Sequence, residues 1–375
     1  MSARFLTVVL ERAFNMRDGF GREIDYMRIS VIDSCNLNCY YCNPCDNNEH
    51  CHALNILSVK EVLCIVRAAT RLGIKHFRLT GGEPLLHPQL DEMVLQIKKI
   101  PGVSSVSLTT NAVLLAQHAK WLKEAGIDSI NVSLDTIDAS EYERITKKPL
   151  LEEVKHGINA AIECGIRVKI NVVLTPQTDV VALTRYVAKK GTDIRFIEMM
   201  PVGEGHTNGV EPYKKVIGTL SKLYGEPCRI NTEKTKEINS GNDKRKIPDN
   251  GPAEYYIFPE LGIRVGLIQA IHGKFCDTCN RIRVTADGRL MPCLGSSVTM
   301  DLVPDSWDFA DDVEKDFAIV RALRAAIKAK PRCHNFNDNA VTYTKTTETK
   351  TTETKTTEIE AAEVNAARNM SRIGG

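Results

Sequence analysis

The chain has 375 residues, 43% of them hydrophobic and 26% charged, with a formal net charge of +2. That balance is typical of a soluble globular protein long enough for one large domain and an appendage. The near-neutral charge offers no field to steer nucleic acid, and no apolar run approaches the ~20 residues that span a bilayer, so neither nucleic acid nor membrane is expected as a partner.

Residues 5–10 are apolar but shorter than the roughly 7–15 residues of a secretory core segment, and read as a leader into the first strand. Twelve cysteines without a secretion signal read as metal ligands and free thiols of a reducing, cytoplasmic compartment. Strand and helix then alternate. A strand is predicted over 26–32. Ser58 with Glu61 forms a capping box that opens a helix, and Gly73 closes it. Strands follow at 77–80, 106–109, 130–134, 168–174 and 194–198. Helices at 91–100, 114–125, 151–164 and 180–190 separate them, the last three stopped by Gly126, Gly165 and Gly191. Six βα units with buried-type strands predict the α/β fold class, with a parallel sheet and right-handed crossovers. Six is two short of a closed eight-stranded barrel, so the expected architecture is an open, partial β/α barrel, with a doubly wound sheet as the alternative.

Beyond about residue 226 the character changes. Residues 233–248 are polar and loop-like, 255–268 suggest strands, and 311–330 look helical up to Pro331. A Lys-Thr-Thr-Glu-Thr repeat begins near Thr344 and runs to about Glu358. It has no apolar residue to bury and reads as a flexible linker. The expected division is a barrel over 1–225, an auxiliary region over 226–335, a linker over 336–358 and a tail over 359–375 that ends Gly374-Gly375.

The chemistry-bearing runs fall at the carboxyl ends of the strands, where parallel α/β folds place active sites. Cys35, Cys39 and Cys42 follow the first strand, Gly81-Gly82-Glu83-Pro84 the second, and Thr109-Thr110-Asn111 the third. Ser133-Leu134-Asp135 ends the fourth and Glu198-Met199-Met200 the sixth. A second triplet, Cys276, Cys279 and Cys293, lies far along the chain. Structural zinc usually takes four protein ligands, whereas three thiolates on a cubane cluster leave one iron open for chemistry. Two such sets suggest two reactive clusters facing one cavity.

The Cys-x3-Cys-x2-Cys spacing is specific to a 4Fe–4S cluster with one unligated iron, able to chelate the amino and carboxylate groups of S-adenosylmethionine. A zinc site completed by Cys45 is the alternative. The glycine pair permits close backbone approach to a ligand, and Glu83 is suited to accept from the methionine ammonium. Arg28 and Lys169 interrupt apolar strands, where an unpaired buried cation is costly. A cavity for an anion resolves that cost; pairing with Asp25 or Asp33 is the alternative. Arg281 and Arg283 alternate on a predicted strand beside the second triplet, with a solvated strand face as the plainer reading.

Several runs carry a resemblance: Phe20-Gly21-Arg22, Cys35-Asn36-Leu37-Asn38-Cys39-Tyr40-Tyr41-Cys42, Arg78-Leu79-Thr80-Gly81-Gly82-Glu83-Pro84 and Arg195-Phe196-Ile197-Glu198. The most specific is Phe275-Cys276-Asp277-Thr278-Cys279-Asn280-Arg281-Ile282-Arg283, continued by Pro292-Cys293-Leu294. On these runs the chain resembles the radical S-adenosylmethionine superfamily and, within it, the GTP 3′,8-cyclase family of molybdenum-cofactor biosynthesis.

The resemblance implies that Cys35, Cys39 and Cys42 hold the 4Fe–4S cluster that cleaves S-adenosylmethionine, with Tyr41, Gly82, Ser133 and Met200 contacting that cosubstrate. It implies a second 4Fe–4S cluster on Cys276, Cys279 and Cys293, whose open iron binds the guanine of GTP. Arg28, Arg78, Thr109, Lys169, Arg281 and Arg283 match GTP-binding positions, and Gly374-Gly375 matches a tail that reaches the site. The implied lyase reaction removes the ribose 3′ hydrogen by a deoxyadenosyl radical, closes the carbon radical on guanine C8, and ends at (8S)-3′,8-cyclo-7,8-dihydroguanosine 5′-triphosphate. Implied partners are a one-electron donor of flavodoxin or ferredoxin type and a downstream cyclic pyranopterin monophosphate synthase, with room for a homodimer. The runner-up is a radical S-adenosylmethionine peptide or protein maturase with an auxiliary cluster.

The chain departs from the family pattern at several places. Cys45 and Cys51 are extra thiols, His76 stands where lysine is common, Ala112 replaces a glycine, and the repeat lengthens the tether to the tail. Cys64, Cys164, Cys228 and Cys333 read as structural or incidental thiols.

Overall fold

The computed structural model describes residues 16–42, 55–202, 209–230, 251–296, 298–302, 312–334 and 336. The leader, Cys45, Cys51, the 233–248 loop, the repeat and the Gly374-Gly375 tail lie outside them.

Local signals set the first half of the chain. β1 (Tyr26–Ser30) is followed by α1 (Val59–Arg71), whose Ser58 cap accepts from the Glu61 amide while the Glu61 carboxylate accepts from Ser58 N. Gly73, at φ +87°, turns the chain out of the helix. Then come β2 (His76–Thr80), α2 (Leu90–Lys99), β3 (Ser105–Thr110), α3 (Leu115–Glu124) and β4 (Ser129–Ser133). The short helix α4 (Ala139–Thr146) has no counterpart among the sequence-based elements. Its cap is in the sequence all the same, because the Asp138 side chain accepts from the Glu141 amide. α5 (Leu151–Glu163), β5 (Val168–Val173), α6 (Val180–Lys189) and β6 (Asp193–Ile197) complete the series.

Beyond β6, a π-helical turn (Tyr213–Ile217) leads into α7 (Gly218–Tyr224) and β7 (Cys228–Arg229). The expected strand region at 255–268 is two strands, β8 (Glu254–Ile257) and β9 (Arg264–Ile268). β10 (Arg281–Val284), β11 (Arg289–Met291), β12 (Met300–Asp301) and α8 (Asp312–Lys328) follow.

Among the described residues, twelve strands form one sheet in the order β12-β11-β10-β1-β2-β3-β4-β5-β6-β9-β8-β7. β10 adds parallel to β1 and β9 parallel to β6, so the parallel run is wider than the six predicted units. The sheet stays open, its two edges finished by antiparallel strands. Strand side chains alternate between two worlds. Ile29, Phe77, Leu108, Ile130, Ile170 and Phe196 are wholly or almost wholly buried in one large apolar core. The intervening Arg28, Arg78, Thr109, Asn131, Asn171 and Arg195 line a cavity. A smaller apolar cluster of Val202, Ala270, Met291 and Phe336 packs near that cavity. Among the described residues no helix is long and apolar enough to cross a membrane.

Candidate active site

A cavity of about 290 Å³ is walled by the carboxyl ends of the strands and by both cysteine triplets. The first triplet is carried by the loop after β1, which folds back onto the loop after β2. Gly82 N donates to Ile32 O at 2.8 Å and Glu83 N to Ser34 O at 2.7 Å. A Cβ on Gly82 would meet Ser34 O at 2.2 Å, and one on Gly81 would meet Ile32 O at 2.4 Å. The close approach that this glycine pair permits is therefore, first, to the chain's own cysteine loop. Farther along, Asn38 N and Tyr40 N donate to Thr146 O and Ile145 O, so α4 supports the loop from its other side.

Glu83 stands behind the cavity wall, not on it. Its carboxylate accepts from Leu85 N, Thr110 Oγ1 and Asn111 N and so fixes the loop after β3. Burial raises its pKa to about 7. The Tyr41 hydroxyl, on the wall, donates to Asp135 Oδ2 at 2.5 Å, and Asp135 Oδ1 accepts from Val173 N at 2.7 Å. Burial lifts Asp135 to about 6. Burial also pushes the thiols of the first triplet up, Cys35 to about 12 and Cys42 to about 11, with Cys39 well above its ordinary value.

The second triplet is built differently. Cys276 opens a 3-10 turn (Cys276–Thr278), Cys279 caps it, and Cys293 follows β11. Burial pushes the Cys279 thiol up, but Arg281 and Lys330 beside it outweigh that and bring it down to about 7. Cys276 has no such compensation and is raised by burial.

The same cavity is lined by a bank of arginines. The register of β10, β1 and β2 sets Arg283, Arg28 and Arg78 side by side. Burial, then the neighbouring Arg283, holds Arg28 well below its ordinary pKa, and burial with Arg281 brings Arg283 to about 10. Arg78 and Arg283 are buried and Arg28 is half-buried beside them; adjacent guanidiniums repel one another, a cost that a bound polyanion would relieve. The Tyr26 hydroxyl accepts from Arg78 Nε at 2.5 Å. Asp25 and Asp33, the carboxylates named as alternative partners, have contacts of their own. Asp25 accepts from Asn280 Nδ2 and lies 3.7 Å from Lys75 Nζ, and Asp33 accepts from Asn55 Nδ2. Arg281 has its guanidinium over the Phe275 ring at 4.9 Å.

Of the residues singled out from sequence, Gly82, Thr109, Ser133, Met200, Tyr41, the four arginines and all six cysteines line this cavity. Glu83 and Lys169 do not: Lys169 is buried on β5, level with Asn131 and Asp193. His76 is also off the wall, its Nδ1 bonded to Ser105 Oγ at 2.8 Å. Sequence reasoning gave no role to Arg195, whose Nε donates to Asn171 Oδ1 at 3.0 Å and whose Nη2 is buried with no hydrogen-bond partner among the described residues. A Cβ on Gly266 would meet Arg195 Cγ at 2.8 Å, so that glycine makes room for the side chain. The signal was a polar residue every second position on apolar strands. Lys330, His334 and Phe336 also line the cavity, and no motif in the sequence marked them.

Each triplet presents thiols alone, none of them in a disulfide. That donor set fits iron–sulfur clusters. Among the described residues no three His, Cys, Asp or Glu converge closely enough to share a single ion. Cluster thiolates sit on different irons and need no such convergence.

Comparison with known proteins agrees with this geometry. Residues 29–182 match the Radical SAM superfamily, and residues 192–336 match Molybdenum Cofactor Synthesis C. The GTP 3′,8-cyclase of Clostridium perfringens (strain SM101 / Type A) is 35% identical over 324 residues, covering 86% of this chain and 95% of its own. That of Pelotomaculum thermopropionicum is 36% identical, covering 85% and 95%, and that of Peptoclostridium acidaminophilum 37% identical, covering 86% and 94%. The crystal structure of Streptococcus suis SuiB bound to S-adenosylmethionine shares the fold alone, with a TM-score of 0.54 at 14% identity over 80% of this chain and 68% of that one. Relatives of such identity, matched over nearly their whole length, show that the chain belongs to the GTP 3′,8-cyclase family of the radical SAM superfamily.

Proposed function

We propose that this chain converts GTP to (8S)-3′,8-cyclo-7,8-dihydroguanosine 5′-triphosphate, the first step of molybdenum-cofactor biosynthesis. The observation that carries the reading is one cavity lined by two all-thiol triplets and by a bank of adjacent arginines. Cys35, Cys39 and Cys42 would hold the 4Fe–4S cluster that membership of the superfamily brings with S-adenosylmethionine. Cys276, Cys279 and Cys293 would hold a second, with an iron left for the guanine. When bound, the first cluster and its cosubstrate supply a hydrogen-abstracting adenosyl radical.

The remaining work falls to the chain. Arg28, Arg78, Arg281 and Arg283 take the triphosphate, each charge-assisted contact contributing about 1.5–3 kcal/mol. Arg195 joins them, oriented by Asn171, and Tyr26 fixes Arg78. Lys169 adds its charge from behind the wall. Tyr41, Gly82, Thr109, Ser133 and Met200 form the surface toward the cosubstrate and the ribose, and Glu83 holds the loop that completes it. Fixing a substrate at both ends removes the freedom that otherwise separates the ribose from the guanine ring, a gain that reaches roughly 7–11 kcal/mol in well-oriented systems. The Gly374-Gly375 tail, a flavodoxin- or ferredoxin-type donor, a downstream cyclic pyranopterin monophosphate synthase and the division into a barrel and an auxiliary region belong to the same proposal.

The test is anaerobic reconstitution with iron and sulfide, then reaction with a reductant, S-adenosylmethionine and GTP, followed by mass spectrometry. Deoxyadenosine formed together with a cyclised GTP product is the expected result. Deoxyadenosine formed without loss of GTP would reassign the substrate.

A further inference from the structure

The second triplet comes from separate stretches of chain, and something must bring them together. We propose that Lys330 and Arg22 are positioning residues that assemble it; this rests on the reading that Cys276, Cys279 and Cys293 hold a cluster.

Lys330 follows the last turn of α8 and is 4% exposed. Its Nζ donates to Arg281 O and to Pro292 O, both at 2.8 Å. The first carbonyl lies two residues beyond Cys279 and the second one residue before Cys293, and the ammonium charge acts on both of those sulfurs. Among the described residues no carboxylate forms a salt bridge with it. A buried ammonium without a carboxylate is costly, and here two carbonyl oxygens, each beside a cysteine of the triplet, accept from it.

Arg22 supplies the remaining arm. Its Nη1 donates to Cys276 O at 2.6 Å and to Arg332 O at 2.9 Å, and its Nη2 donates to Pro331 O at 2.6 Å. Asp18 holds the guanidinium through Nε. The turn at Asp18–Arg22 thus binds Cys276 to the residues that directly follow Lys330. Between them, two buried cations from opposite ends of the described chain reach the backbone beside all three cysteines. Neither needs to touch substrate, and both act through the ligands, as outer-shell partners of metal sites do.

The experiment uses the full chain, reconstituted anaerobically, with two readouts. Iron per chain and the electron paramagnetic resonance spectrum of the reduced protein report which clusters are present. The reduction potential of the second cluster is measured in a Cys35→Ser, Cys39→Ser, Cys42→Ser background. Lys330→Met, which keeps the stem and removes the ammonium, is expected to weaken iron binding at the second triplet about 10–100-fold. Iron at the first triplet is expected to stay, which also shows that the chain has folded. Any second cluster still formed should have a more negative potential, because a neighbouring positive charge has gone. Arg22→Lys is the independent variant: one ammonium cannot span Asp18 and three carbonyls, so it too should lose second-triplet iron. Unchanged iron and unchanged potential in Lys330→Met, with unchanged iron in Arg22→Lys, would overturn the proposal. A parent chain that takes up iron only at the first triplet would instead overturn the reading on which it rests.

Discussion

The two thiol triplets share one cavity but are made in opposite ways. Cys35, Cys39 and Cys42 lie on a single loop, seated by backbone contacts to the Gly81-Gly82 turn and to the end of α4. Cys276, Cys279 and Cys293 are gathered from a 3-10 turn and a strand exit by buried cations whose own positions depend on the whole fold. Their electrostatics differ accordingly. Among the described residues no cation lowers the first set, and burial keeps its cysteines as thiols, so metal must supply the charge that deprotonates them. Arg281 and Lys330 hold Cys279 close to the thiolate before any metal arrives. A site built locally can be read from spacing, while a site assembled at long range shows its ligands in the sequence and hides what holds them.

The largest break in this comparison should come from removing one ligand on each side. Cys39→Ser is expected to abolish deoxyadenosine formation while leaving about half of the iron, that of the second cluster. Cys293→Ser is expected to keep deoxyadenosine release but to yield no cyclised nucleotide. Product analysis on the two variants, alongside iron counts, checks both; cyclised product from Cys293→Ser would remove the second triplet from the reaction.

A smaller effect is expected between the triplets. Arg283→Ala should raise the Kd for GTP about 10–100-fold, the equivalent of about 1.5–3 kcal/mol, and leave the affinity for S-adenosylmethionine within about twofold. Calorimetry with each ligand separates the two, and equal losses would mean that the variant disturbs the barrel as a whole.

The smallest effect concerns the empty protein. Cys279, with a pKa of about 7, is protonated below that pH and a thiolate above it, so its alkylation should accelerate between about pH 6 and 8 and then level off. Cys35, at about 12, stays protonated through that range, and its rate should still be climbing at about pH 10. Mass-spectrometric mapping of alkylation against pH compares them in one sample, and parallel profiles would contradict the electrostatic contrast.

The sequence carried much of this molecule because its strands and helices obey local rules. The Ser58–Glu61 box, the glycine stops and the alternation of apolar and polar strand residues all appear in the fold. α4 is short and easily passed over, although Asp138 and Glu141 mark its start. Strands were expected where β9 and β10 lie, but their parallel places in the sheet could not be foreseen, because they join β6 and β1 only through long-range pairing. In the site the cysteines declared themselves by spacing. Arg195 stood in a run that carried the resemblance but was given no role, and Lys330 looked like a basic residue closing a helix. The bonds that give each its role run to Asn171, Arg281 and Pro292, and no local pattern encodes them.

The most direct test of the account uses GTP deuterated at the ribose 3′ carbon, with the reconstituted chain, reductant and S-adenosylmethionine. Deuterium is expected to appear in the deoxyadenosine and to be lost from the nucleotide product. Deoxyadenosine free of deuterium, formed while GTP is consumed, would contradict the account.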